Sequence, residues 1–128
     1  MVMKVVALKI YERQDMLLRA LVEAGLYPSK SEALRTAAWD LLRVLLSSLE
    51  EGKDISVPSL PEELKSQFVG TTMPISAKFP LPMITLIDYV VSSSQKLNNR
   101  SAFFRKALVA FLATDSQMFS PYIFEDAS

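Results

Sequence analysis

Residues 7–22, "ALKIYERQDMLLRALV", decide how this chain is read, because residues 76–91, "SAKFPLPMITLIDYVV", follow the same plan 69 positions later. Lys9 lies over Lys78, Ile10 over Phe79, Leu18 over Ile87 and Leu21 over Val90. The correspondence continues with "SKSEALRTAAWDLL" at 29–42 over "NRSAFFRKALVAFL" at 99–112, now at an offset of 70. Ser31 then matches Ser101, Arg35 matches Arg105 and Ala37 matches Ala107. A one-residue difference in the turn before the second helix, "GLYP" in the first copy, accounts for the changed offset.

Each copy reads as a short strand followed by two helices. Val6, Leu8 and Ile10 alternate with Val5, Ala7 and Lys9, the period of a half-buried strand. In the second copy Ile75, Ala77 and Phe79 alternate with Ser76 and Lys78. Pro80 and Pro82 end that strand and open a helix, since the first turn of a helix has N–H groups without partners. The first helices carry Leu18, Leu21 and Val22 in one copy, and Met83, Ile87, Val90 and Val91 in the other. Gly25 and Pro28 close the first of these, and Asn98 is expected to close the second. Second helices follow with Leu34, Ala38, Leu41, Leu42 and Leu45, and with Phe104, Leu108, Phe111 and Leu112. These stripes are wide enough for the heart of a core.

The chain divides accordingly into a first repeat at 1–50, an acidic connector at 51–72, a second repeat at 73–114 and an aromatic tail at 115–128. A short helix is expected in the connector, begun by Ser59 with Pro61 and Glu62 in its first turn. The tail holds Phe119, Tyr122, Ile123 and Phe124, and reads as a segment docked on the domain or on a neighbouring molecule.

Composition removes several function classes. The 128 residues contain no cysteine and no histidine, which excludes thiol chemistry and the usual base near neutral pH. No glycine-rich phosphate cradle, nucleophile–base pair or metal-ligand spacing is present, so neither an enzyme nor a cofactor is expected. The N-terminal apolar run is short and broken by Lys4 and Lys9, and the stretch from Ala33 to Leu49 carries Arg35, Asp40 and Arg43. A membrane span is therefore not expected, and a cytoplasmic location follows. Net charge is zero, but residues 71–114 hold five basic against one acidic residue. A locally basic surface survives the overall balance.

A lone strand of about six residues leaves its backbone unpaired. The equivalent strand of the other copy is the nearest partner, giving a two-stranded antiparallel ribbon backed by four core helices. Neither copy of roughly 45 residues buries an adequate core alone, and a connector of roughly 20 residues spans up to ~70 Å.

Strand–helix–helix with "SKSEALRTA" opening the second helix resembles the ribbon–helix–helix superfamily of DNA-binding regulators. "AKFP" resembles the family's strand end more closely than "LKIY" does. Most members are one-copy chains that dimerise. This chain looks like a fused pseudo-dimer, mainly α with a short β-ribbon, similar to regulators from archaea and their viruses (where the cytoplasm would be the host's).

The resemblance implies a ribbon lying in the major groove, with outward side chains reading base edges. By strand parity these are Val5, Ala7 and Lys9, and Ser76 and Lys78. Each lysine can donate to guanine, worth ~1–3 kcal/mol of discrimination. The other reading makes them gatekeepers that keep an exposed ribbon soluble. Val5 and Ala7 depart from the family's polar strands and can only touch thymine methyls or fill space.

The second-helix openings are the other candidate. Ser29 with Glu32 forms a capping-box pattern, and Asn99 with Ala102 occupies the matching place. Free N–H groups at a helix N-terminus suit a phosphate. Lys30 and Arg100 would add charge, and Ser31 and Ser101 hydroxyl donors. Ordinary capping is the simpler alternative. Arg35 and Arg105, one turn on, either reach phosphate or pair with a carboxylate. Four neutralised phosphates would give a slope of about −3.6 for log affinity against log salt. Phe103, Phe104 and Trp39 read as packing, and Asp15, Asp40 and Asp88 as solvated faces.

The expected partner is double-stranded DNA, with self-association along it through tail or connector as an addition; no small-molecule substrate is expected. Two other functions stay open: an antitoxin-like adaptor using the tail, and a DNA-coating architectural protein.

Overall fold

A computed structural model describes residues 2–50, 70–94 and 97–114. Among them the order strand, helix, helix runs twice: β1 (Met3–Tyr11), α1 (Glu12–Glu23), α2 (Lys30–Glu50), β2 (Thr72–Pro80), α3 (Leu81–Ser93) and α4 (Arg100–Thr114). The described residues are mostly helical and form one two-stranded antiparallel sheet and four helices. The expected connector helix and aromatic tail lie outside the described residues, as does the side chain of Leu112.

The strands are longer than the expected six residues, nine each. Their alternation is as expected: Val6, Leu8, Ile10, Ala77 and Phe79 are buried, while Val5, Ala7, Lys9, Ser76 and Lys78 are exposed. Two prolines are tolerated in β2 because Pro74 and Pro80 share the parity whose backbone N–H points away from β1. Sequence reading stops short of these ends because proline is normally a strand breaker.

Each helix end has a local cause. Gly25 adopts a left-handed φ of 78° after α1. Its N–H donates to Val22 O and that of Leu26 to Leu21 O, both at 3.0 Å. This is the Schellman arrangement, which occupies carbonyls the helix leaves free. At α3, Pro80 is the N-cap and Pro82 falls in the first turn. That helix ends at Ser93, not at Asn98, because Ser94 is already extended (φ −109°, ψ 135°).

α2 and α4 pack on each other under the sheet and supply half of the buried apolar residues among those described. Leu34, Ala38, Leu41, Leu42 and Leu45 are buried, as are Phe103, Phe104, Leu108 and Phe111. Phe79 from β2 meets the Phe104 ring at 4.9 Å, and Phe103 meets Phe104 edge-on at 5.4 Å. Trp39 departs from expectation: it lies 43% exposed, off the stripe that Leu34, Ala38 and Leu41 turn inward. No described helix is long and apolar enough to cross a membrane.

Candidate nucleic-acid interface

The sheet has one face on the core and one face free. Its register sets Met3 opposite Pro80, Val5 opposite Lys78, Ala7 opposite Ser76 and Lys9 opposite Pro74. The central pair, Ala7 and Ser76, are themselves 69 residues apart, the offset of the sequence correspondence. Lys9 and Lys78 therefore stand at equal distances on either side of the centre, on opposite strands. Four residues of strand separate their rows, ~13 Å along the sheet. Among the described residues no carboxylate pairs with either ammonium. The five base-reading candidates thus share one exposed face. Met3, Thr72 and Pro74 extend it, and sequence reading missed them by drawing the strands too short.

The second-helix openings behave as caps. Ser29 Oγ accepts from the Glu32 N–H at 3.2 Å, and Asn99 Oδ1 accepts from the Ala102 N–H at 2.8 Å. The Glu32 carboxylate pairs with Arg35. Ser101 Oγ accepts from the Lys9 N–H at 3.0 Å, so this hydroxyl serves the strand edge. Ser29, Lys30 and Ser31 line a shallow groove with Met73, Pro74 and Ser76 along the edge of β2.

The cations of these openings already have partners. Lys30 Nζ lies 3.0 Å from the Asp15 carboxylate, which also takes two bonds from Arg19. Arg100 grips Asp88 with Nε and Nη2, both at 2.8 Å. Asp15 is fully buried, contrary to its reading as a solvated carboxylate, because Lys30 and Arg19 close over it. Burial pushes its carboxyl up, and the bonds from Lys30 and Arg19 outweigh this, leaving it below the usual range. For Asp88 the Arg100 bond dominates and lowers the carboxyl against a smaller opposing effect of burial, with Lys4 adding a little. The same bond raises Arg100. Asp40 pairs with Arg43 at 2.5 Å.

Arg35 and Arg105 both turn to the sheet. Arg35 Nη1 donates to Lys78 O at 2.8 Å, and Arg105 Nη1 donates to Lys9 O at 2.9 Å. The two matched arginines thus hold the carbonyls of the two matched lysines. Gln14, fully buried, reinforces one side: its Nε2 donates to Arg105 O at 3.0 Å and its Oε1 accepts from the Tyr11 N–H at 3.1 Å. The Arg105 guanidinium lies 5.8 Å from the Tyr11 ring centre. Neither Gln14 nor Tyr11 was singled out from sequence: the Tyr11–Gln14 bond is a local cap of α1, but the Gln14–Arg105 bond joins segments 91 residues apart.

Among the described residues no three carboxylates, histidines or cysteines gather as a metal site. Compared with known proteins, the chain matches no family model, no curated protein and no solved structure.

Proposed function

We propose that this chain is a double-stranded DNA-binding transcriptional regulator built from two ribbon–helix–helix motifs, acting by occluding a promoter. The observation that carries the reading is the free sheet face with Lys9 and Lys78 disposed symmetrically about Ala7 and Ser76. A two-stranded ribbon fits the major groove, and its rows recur at ~6.7 Å, about two base-pair steps. The lysine rows then sit about four base pairs apart, each offering an ammonium to guanine O6 or N7.

Three matched features support the tandem arrangement: strand–helix–helix order twice, Ser29 and Asn99 caps, and Arg35 and Arg105 on the lysine carbonyls. The arginine bonds lock the strand where a base-reading side chain must be held still. The openings of α2 and α4 flank the ribbon and contribute backbone N–H groups to phosphates. Their charged side chains are matched by carboxylates and contribute less.

Selection of bound duplexes from a random DNA pool, followed by footprinting on the winner, identifies the site. Lys9→Ala with Lys78→Ala is expected to abolish preference for it over random duplex in fluorescence anisotropy, with an unchanged thermal melt. A double variant that keeps the preference would sink the reading by the ribbon.

A further inference from the structure

We propose that the end of the ribbon carrying Met3 and Val5 reads thymine 5-methyl groups, so that the preferred duplex is asymmetric with a thymine-bearing half under that end. The inference rests on the DNA-binding reading above.

The two ends of the face differ in chemistry. At one end the free face carries Met3 and Val5, 42% and 60% exposed, and Val2 and Leu81, 69% and 43% exposed, flank the ribbon end just beyond the strands. They are held together by the Leu81 N–H donating to Val2 O at 3.0 Å and by the pairing of Met3 with Pro80. At the other end the free face offers Lys9, Pro74 and Thr72, while Tyr11 packs against the core beneath Arg105. The exposed Met3 and Val5, with Val2 and Leu81 beside them, thus have no apolar counterpart but Pro74 at the matching place.

An apolar side chain has no hydrogen bond to give. Pressed on a cytosine, guanine or adenine edge, it strips water from donors and acceptors that stay unpaired. The 5-methyl of thymine is the one apolar group in the major groove. The row holding Val5 also holds Lys78, so this end attracts a polyanion while presenting an apolar surface. That combination favours DNA over an apolar protein partner, against which the Lys78 ammonium would lose water without gaining a counter-charge.

The test replaces thymine by uracil, which removes only the methyl group, first in one half of the selected duplex and then in the other. In anisotropy titrations, uracil in one half is expected to weaken binding about fourfold per contacted methyl, and in the other half to change nothing. Val5→Ser with Met3→Ser should erase the difference with an unchanged melt, because both side chains lie outside the core. Selected duplexes that bind equally well with uracil in either half, or lose equally in both, overturn the inference and leave DNA binding standing. If no duplex is bound above background, the DNA reading itself fails and this inference with it.

Discussion

Asp15 is the residue at which burial and charge meet most sharply. Its carboxylate is fully buried, yet Lys30 comes from the opening of α2 and Arg19 from the next turn of α1 to bind it. Both cations remain partly in water, so the pair avoids the full cost of a dry ion pair. The folded carboxyl lies below its ordinary value of 3.8. Its contribution is therefore present above that value and lost as pH falls through the lower folded one. Asp15→Asn should lose about 1–3 kcal/mol in urea unfolding at pH 7. The deficit should shrink in acid, where the native protein loses the same bonds. An equal deficit at both pH values would place the cost in packing instead of charge. The Asp88–Arg100 bond, which is exposed, contributes much less.

At the scale of elements, the sheet is held to the helices by bonds that reach across the chain. Arg35 and Arg105 serve carbonyls 43 and 96 residues away, and Ser101 serves the Lys9 N–H. These bonds occupy edge groups that would otherwise invite another strand. Replacing both arginines by methionine should cost about 1.5–3 kcal/mol per site, nearer the low value because the bonds are partly exposed. Chemical denaturation measures this directly. If the arginines instead served phosphate alone, the double variant would keep its stability and lose only DNA affinity.

For the whole molecule, charge is organised more than it is accumulated. The chain is neutral, and the cations at the openings of α2 and α4 are each matched by a carboxylate on the preceding helix. Lys9 and Lys78 on the ribbon are not so matched among the described residues. On the proposed DNA-binding reading, log affinity against log salt should therefore be shallower than the slope of about −3.6 expected for four neutralised phosphates. Anisotropy titrations across a salt series test this. A slope of that size or steeper would mean that DNA breaks the Asp15 and Asp88 pairs on binding.

The inward and outward faces of both strands were legible in the sequence, because alternation with period two follows from backbone geometry alone. So were the Ser29 and Asn99 caps and the Gly25 stop, since each acts within a few residues of chain. The register, centred on Ala7 and Ser76, agrees with the offset of 69, but the offset alone does not select that pair. Only the tertiary structure decided which groups the cations serve. Lys30 meets a buried Asp15, Arg35 and Arg105 meet strand carbonyls, and Trp39 faces outward. Such pairings depend on how helices cross and on which side chain arrives beside which backbone group, and no local pattern encodes that. The physical reason is one of range: dihedral preference and periodicity act between neighbours in the chain, whereas charge pairing acts between neighbours in space.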